Sequence, residues 1–196
     1  GTPICSQSIV GSAIVTVNPL PNVTISGTTS ICNGTSTTIN FVGTPNAIVS
    51  YNINGGSTLT LTLNASGNFS ITTPNLTSNA TYNLVSVLSN ATTPSCSKNV
   101  SGSAVVTVVP IPIVNFTPSS QTICSSQSTS ITLSSNVSTA NYSWTVVQSG
   151  VSGATASSGN SISQVLTTTG NSIGTATYTV TPTASGCVGT SNTIII

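Results

Sequence analysis

Along most of the chain, apolar β-branched residues alternate with Thr, Ser or Asn, the period-two pattern of half-buried strands. Leu59, Leu61 and Leu63 fall on one side of such a run, with Thr60 and Thr62 on the other. The pattern predicts strands over 22–26, 35–42, 48–53, 58–63, 68–72, 81–88 and 103–109. A second series follows over 113–116, 128–133, 142–147, 162–168, 175–181 and 190–196. Asn54-Gly55 between two runs predicts a hairpin, because both residues tolerate positive φ. Gly- and Ser-rich stretches at 149–153 and 156–160 separate the later strands. Strands this short and this numerous predict an all-β fold of antiparallel sandwiches.

The two series are copies of one unit. Cys5 to Pro21 recurs as Cys96 to Pro112, at an offset of 91 residues. Ser30-Ile31-Cys32 returns as Thr122-Ile123-Cys124, and Ser66-Gly67-Asn68 as Ser158-Gly159-Asn160. A period near 91 residues is too long for a solenoid and suits tandem sandwich domains. The domains expected are 1–19, the last strand of a preceding repeat; 20–110, one sandwich; and 111–196, a second. Each full repeat then owns two cysteines, so the expected disulfides are Cys32–Cys96 and Cys124–Cys187. Each closes a loop of roughly 64 residues and stabilises its repeat by about 4 kcal/mol on the chain-entropy model. Cys5 has its expected partner in the missing preceding repeat. Proline pairs (Pro19 and Pro21, Pro110 and Pro112) make stiff links, so the repeats are expected end to end as a rod.

Charge changes the functional picture. Lys98 is the only charged side chain among 196 residues, and there is no His. A formal charge of +1 gives no basic surface for nucleic acid. No unbroken apolar stretch is long enough to cross a bilayer as a helix, so no membrane insertion is expected. General acid–base chemistry has no His or carboxylate to use. Lys98 beside Ser97 is matched by Gln7 in the previous repeat, which argues against a Ser-Lys catalytic pair. The cysteines lack the close spacing of zinc ligands, and a calcium ion would find only carbonyl and amide oxygens. The sequence therefore predicts no catalytic, cofactor-binding or metal-binding residue, and no enzyme. Trp144 lies 20 residues after Cys124 and is expected to fill the core; a ligand platform is its alternative role.

Ser-Ile-Cys-Asn-Gly-Thr-Ser, Ala-Thr-Tyr-Asn-Leu-Val-Ser-Val and Gly-Ser-Ala-Val-Val-Thr-Val resemble repeats of giant Bacteroidota surface adhesins. Asn-Tyr-Ser-Trp-Thr-Val and Thr-Ala-Thr-Tyr-Thr-Val-Thr-Pro-Thr-Ala-Ser-Gly-Cys in the second repeat resemble their PKD-like domains. The resemblance implies tandem Ig-like/PKD-like sandwiches, type IX secretion to the cell surface, and adhesion or gliding of the SprB-like kind. Those relatives carry more charge than this chain does. The expected function is a structural stalk or filament segment of a secreted adhesin; the alternative is a glycan- or surface-binding module. Expected partners are neighbouring repeats of the same chain, with lateral self-association and surface polysaccharide as further candidates. A cluster of exposed aromatics would favour the binding module, and aromatics confined to cores would favour the stalk.

Overall fold

The computed structural model describes Gly1, residues 11–89 and residues 93–196, and all its regular structure is strand. Backbone contacts divide it into two compact units. One comprises Gly1–Ile25, Asn40–Phe69 and Asn83–Gly102; the other comprises Ser26–Ile39, Ser70–Tyr82 and Ser103–Ile196. Residues 11–22 take part in no strand. Cys5 lies outside the described residues.

Among the described residues, nine strands occupy the first repeat. They are β1 (Val23–Ser26), β2 (Thr29–Cys32), β3 (Thr38–Gly43), β4 (Ile48–Ile53), β5 (Leu59–Thr62), β6 (Asn68–Thr72), β7 (Ala80–Ser89), β8 (Cys96–Asn99) and β9 (Ser103–Val109). One sheet runs β1-β3-β6; the other runs β2-β9-β7-β4-β5, with β8 also on β7. Ile39 and Phe41 of β3 and Val49 and Tyr51 of β4 point inward at alternate positions. The Phe41 and Tyr51 rings meet with centroids 5.4 Å apart, tilted by 55°, a favourable aromatic geometry. Asn54 and Gly55 have φ of 53° and 73°, so the predicted hairpin turn forms between β4 and β5. Leu61 and Leu63 are buried as expected, while Leu59 sits at the exposed end of its strand.

The second repeat contains β10 (Asn115–Thr117), β11 (Gln127–Ser128), β12 (Ile131–Ser134), β13 (Asn141–Ser149), β14 (Val151–Ser152) and β15 (Ser157–Ser158). These are followed by β16 (Ser161–Ile162), β17 (Val165–Thr168), β18 (Thr175–Ala184), β19 (Cys187–Val188) and β20 (Asn192–Ile195). The main sheet runs β15-β13-β18-β19, with β20 also on β18. Opposite it lie β10-β12-β16 and the smaller β11-β17-β14. Along β18, Ala176, Tyr178, Val180 and Ala184 face inward, and β13 contributes Tyr142 and Trp144. Ile131, Leu133 and Ile162 close the core from the other sheet. The run 162–168, expected as one strand, is divided: β16 pairs with β12, whereas β17 pairs with β11 and β14. The chain changes sheet at Ser163-Gln164, the corner device of sandwiches.

A polar cluster that runs from buried Thr129 and Tyr178 out to exposed Thr155 holds that corner. Gln164 Oε1 accepts from Thr155 N at 3.0 Å and from the Tyr178 hydroxyl at 2.9 Å. Its Nε2 donates to Thr155 O at 2.9 Å and to Thr155 Oγ1 at 3.1 Å. Thr129, almost fully buried, accepts from Gln164 N through Oγ1 and donates that hydroxyl to Ile162 O. Trp144 Nε1 donates to Thr155 O at 3.2 Å. The buried members, Thr129 and Tyr178, each have a partner for their hydroxyl, as burial requires.

Candidate functional site: the cysteine turns and the hairpins

The cysteines occupy two kinds of place. Cys32 and Cys124 each begin a tight turn. Cys32 O accepts from Thr35 N at 3.0 Å, and Cys124 O accepts from Gln127 N at 3.1 Å. Two residues after each cysteine φ is positive, 80° at Gly34 and 67° at Ser126. The same two residues donate their amides to Leu76 O at 2.8 Å and Leu166 O at 2.7 Å. The sequence-equivalent turns therefore share these two backbone bonds and the positive φ. Positive φ in a residue other than Gly is uncommon, and Ser126 adopts it on a turn that Ser125 further ties to Thr168 N at 3.1 Å.

Cys96 and Cys187 each open the return strand of a hairpin. Cys96 stands opposite Ser89, the last residue of β7, and Cys187 opposite Ala184, the last residue of β18. The links preceding each repeat's body are also fixed alike. Asn22 N donates to Thr44 Oγ1 at 3.0 Å, and Ile113 N donates to Asn136 Oδ1 at 2.9 Å.

The disulfide joins Cys32 to Cys187, 155 residues apart, with their Cα atoms 5.6 Å apart. Cys96 is free and half-buried, and Cys124 is free and exposed. The expected pairs Cys32–Cys96 and Cys124–Cys187 are thus replaced by a bridge from one repeat to the next. The reason is strand length. Within a repeat, the turn cysteine lies by the start of the long strand and the hairpin cysteine by its end. Leu166, which holds the Cys124 turn, lines a groove with Thr175, the first residue of β18; Cys187 pairs with the last. Ten residues at about 3.3 Å each span roughly 30 Å, while a disulfide needs Cα atoms within about 7 Å. At the bridge itself, Cys32 stands opposite Val109, immediately before the Pro110–Pro112 link. A Cβ on Gly189, two residues after Cys187, would strike the Pro112 carbonyl and the Pro182 ring. Only glycine lets the hairpin come this near the link that β9 feeds.

An apolar groove of about 650 Å³ surrounds Cys124. Ile123, Val151, Leu166, Ile173 and Ile195 line it, and Ile173 is almost wholly exposed. Trp144 is absent from this groove and lies in the core at 5% exposure. Tyr51, Tyr82, Tyr142, Tyr178 and Phe41 are likewise buried, Phe116 is partly so, and Phe69 alone is exposed. Burial raises the Tyr51, Tyr142 and Tyr178 hydroxyl pKa values above 10. Among the described residues no group of three or more potential metal ligands occurs.

Residues 121–196 match the family model of a PKD-like domain. Among solved structures, the fibronectin(III)-like modules of Clostridium thermocellum CbhA are 14% identical, with 89% of this chain and 93% of that one covered at a TM-score of 0.38. The human OSCAR ligand-binding domain is also 14% identical, with 91% and 98% covered at a TM-score of 0.31. No curated protein matches the chain.

Proposed function

We propose that the chain is a load-bearing structural segment of a secreted, repetitive cell-surface adhesin, of the type IX-exported gliding kind its repeats resemble. The observation that carries this reading is the disulfide between successive repeats. A bridge of that sort serves continuity along a chain and forms no ligand site. It also suits an oxidising, extracytoplasmic setting. Confinement of the aromatic side chains supports the same reading: a sugar-binding face stacks rings against its ligand, and Phe69 is the one ring well exposed here. With Lys98 the sole charged side chain, the surface offers hydroxyls and amides in place of charge.

The test uses the native full-length protein on its cell. Gold-labelled antibodies raised against residues 111–196 should decorate the shaft between the cell surface and the distal end. Label confined to distal tips, together with retention of this chain on a carbohydrate array, would replace the stalk by a binding module.

A further inference from the structure

Strand β5 ends the larger sheet of the first repeat, with β4 as its one partner among the described residues. Leu63 N donates to Ala47 O at 2.9 Å. That bond continues the β4–β5 register, in which Val49 stands opposite Leu61 and Tyr51 opposite Leu59. Antiparallel ladders alternate between bonded and non-bonded pairs, so Leu59, Leu61 and Leu63 direct their backbone groups to β4. Thr60 and Thr62 therefore turn their N–H and C=O groups outward, along an edge that no other described strand pairs.

Sheet edges are ordinarily guarded by charge, proline, a bulge or shortness. Other edges of this chain have such guards. Lys98, the only charged side chain, sits on β8, which has β7 as its single partner. At the opposite end of the sheet, β2 is tied by the Cys32 bridge. In the second repeat, the end strands β11, β14, β15, β16 and β19 have two residues each. Strand β5 has no guard: Leu59–Thr62 contains no charge, proline or positive φ, and Leu59 is 42% exposed.

We propose that the β5 edge is a self-association site, taken by the β5 edge of a second copy in antiparallel pairing about a two-fold axis. Two observations select this occupant. First, the strand is self-complementary. With Leu61 opposite the partner's Leu61, Thr60 and the partner's Thr62 exchange two backbone hydrogen bonds, and symmetry adds two more. Exposed Leu59 then lies opposite the partner's Leu63, so leucine meets leucine along the core face. A slip of one residue would set Thr against Leu and join one copy's core face to the other's solvent face. Second, each copy has a formal charge of only +1 and β5 has no charged side chain, so like edges meet without repulsion. Such an isologous pair closes at two copies. A contact confined to one short edge falls well below the roughly 800 Å² per partner of a stable complex, so the dimer is reversible and governed by concentration. The inference concerns the sheet edge and does not depend on the stalk reading.

The test is sedimentation equilibrium of the whole purified chain, with Cys5, Cys96 and Cys124 replaced by serine to exclude disulfide-linked dimers. Monomer should give way to dimer between about 10 μM and about 1 mM, the range of a small interface. Thr60→Pro removes an outward N–H and leaves the β4 ladder intact. It should weaken dimerisation about thirtyfold, because two of the four bonds are lost. Thr62→Lys keeps the backbone unchanged and places like charges at the contact, so it should weaken the dimer about tenfold or more. Thr145→Lys, exposed on β13, should leave it unaltered. Thr60→Cys mixed with Thr62→Cys should cross-link on mild oxidation, and neither variant alone should, because only the unlike positions stand opposite. A chain that stays monomeric to about 1 mM would overturn the proposal. So would a dimer that neither Thr60→Pro nor Thr62→Lys weakens, or Thr60→Cys alone cross-linking as fast as the mixture.

Discussion

Gln164 offers the sharpest test of how the second sandwich is held. Its side chain makes four hydrogen bonds, three to Thr155 and one to the Tyr178 hydroxyl. Thr155 is exposed, so water can replace much of what it loses. Tyr178 is 0% exposed, and its hydroxyl would be stranded without an acceptor. A net hydrogen bond is worth about 1 kcal/mol, and a stranded buried polar group costs about 1–3 kcal/mol. Gln164→Ala should therefore cost roughly 3 kcal/mol, and Tyr178→Phe about 1 kcal/mol. The double variant has no hydroxyl to strand, so it should cost about 2 kcal/mol against the roughly 4 kcal/mol sum of the singles, a coupling of about 2 kcal/mol. Urea unfolding followed by tryptophan fluorescence reads this sandwich selectively, because Trp144 is the only tryptophan and lies in its core. If the two single effects add to within about 0.5 kcal/mol, the Tyr178–Gln164 bond is not holding the corner.

Two further outcomes follow from chemistry and packing. With no Asp, Glu or His side chain, the urea midpoint should be flat between about pH 5 and pH 8. Buried Tyr178, Tyr51 and Tyr142 ionise more readily once unfolded, so their contribution is complete below pH 10 and is lost as pH rises through their raised folded values; a midpoint that climbs above pH 10 would contradict this. Gly189→Ala should push the hairpin off Pro112 and leave Cys32 and Cys187 unbridged, which thiol titration would register as two additional reactive groups.

Local pattern made several strands legible, at a sheet edge as well as inside a sheet. The spans 48–53, 68–72 and 103–109 are predicted to the residue. Strand β2 escapes notice because Thr29–Cys32 shows no alternation of burial, and its existence depends on parallel pairing with β9 more than seventy residues away. Short β11, β14, β15 and β19 are likewise defined by their partners. The 162–168 run keeps its alternation through Gln164, so only the hydrogen bonds of Gln164 reveal the change of sheet. The repeat divides the cysteines into two classes by sequence position. Which member of each class meets which depends on where the strand ends fall, and a strand's direction relative to its neighbours is not written in residue spacing.

The long-range bridge also bears on damage. Lys98 is the single tryptic site in the sequence, and it lies between Cys32 and Cys187. A protease that cuts there, or at any one peptide bond between those cysteines, separates the backbone into two pieces that stay bonded through sulfur. A single nick would therefore shorten nothing and release nothing. Severing the segment takes either a second cut outside the 155-residue span or a reductant. Wear along such a molecule would accumulate silently before it parted.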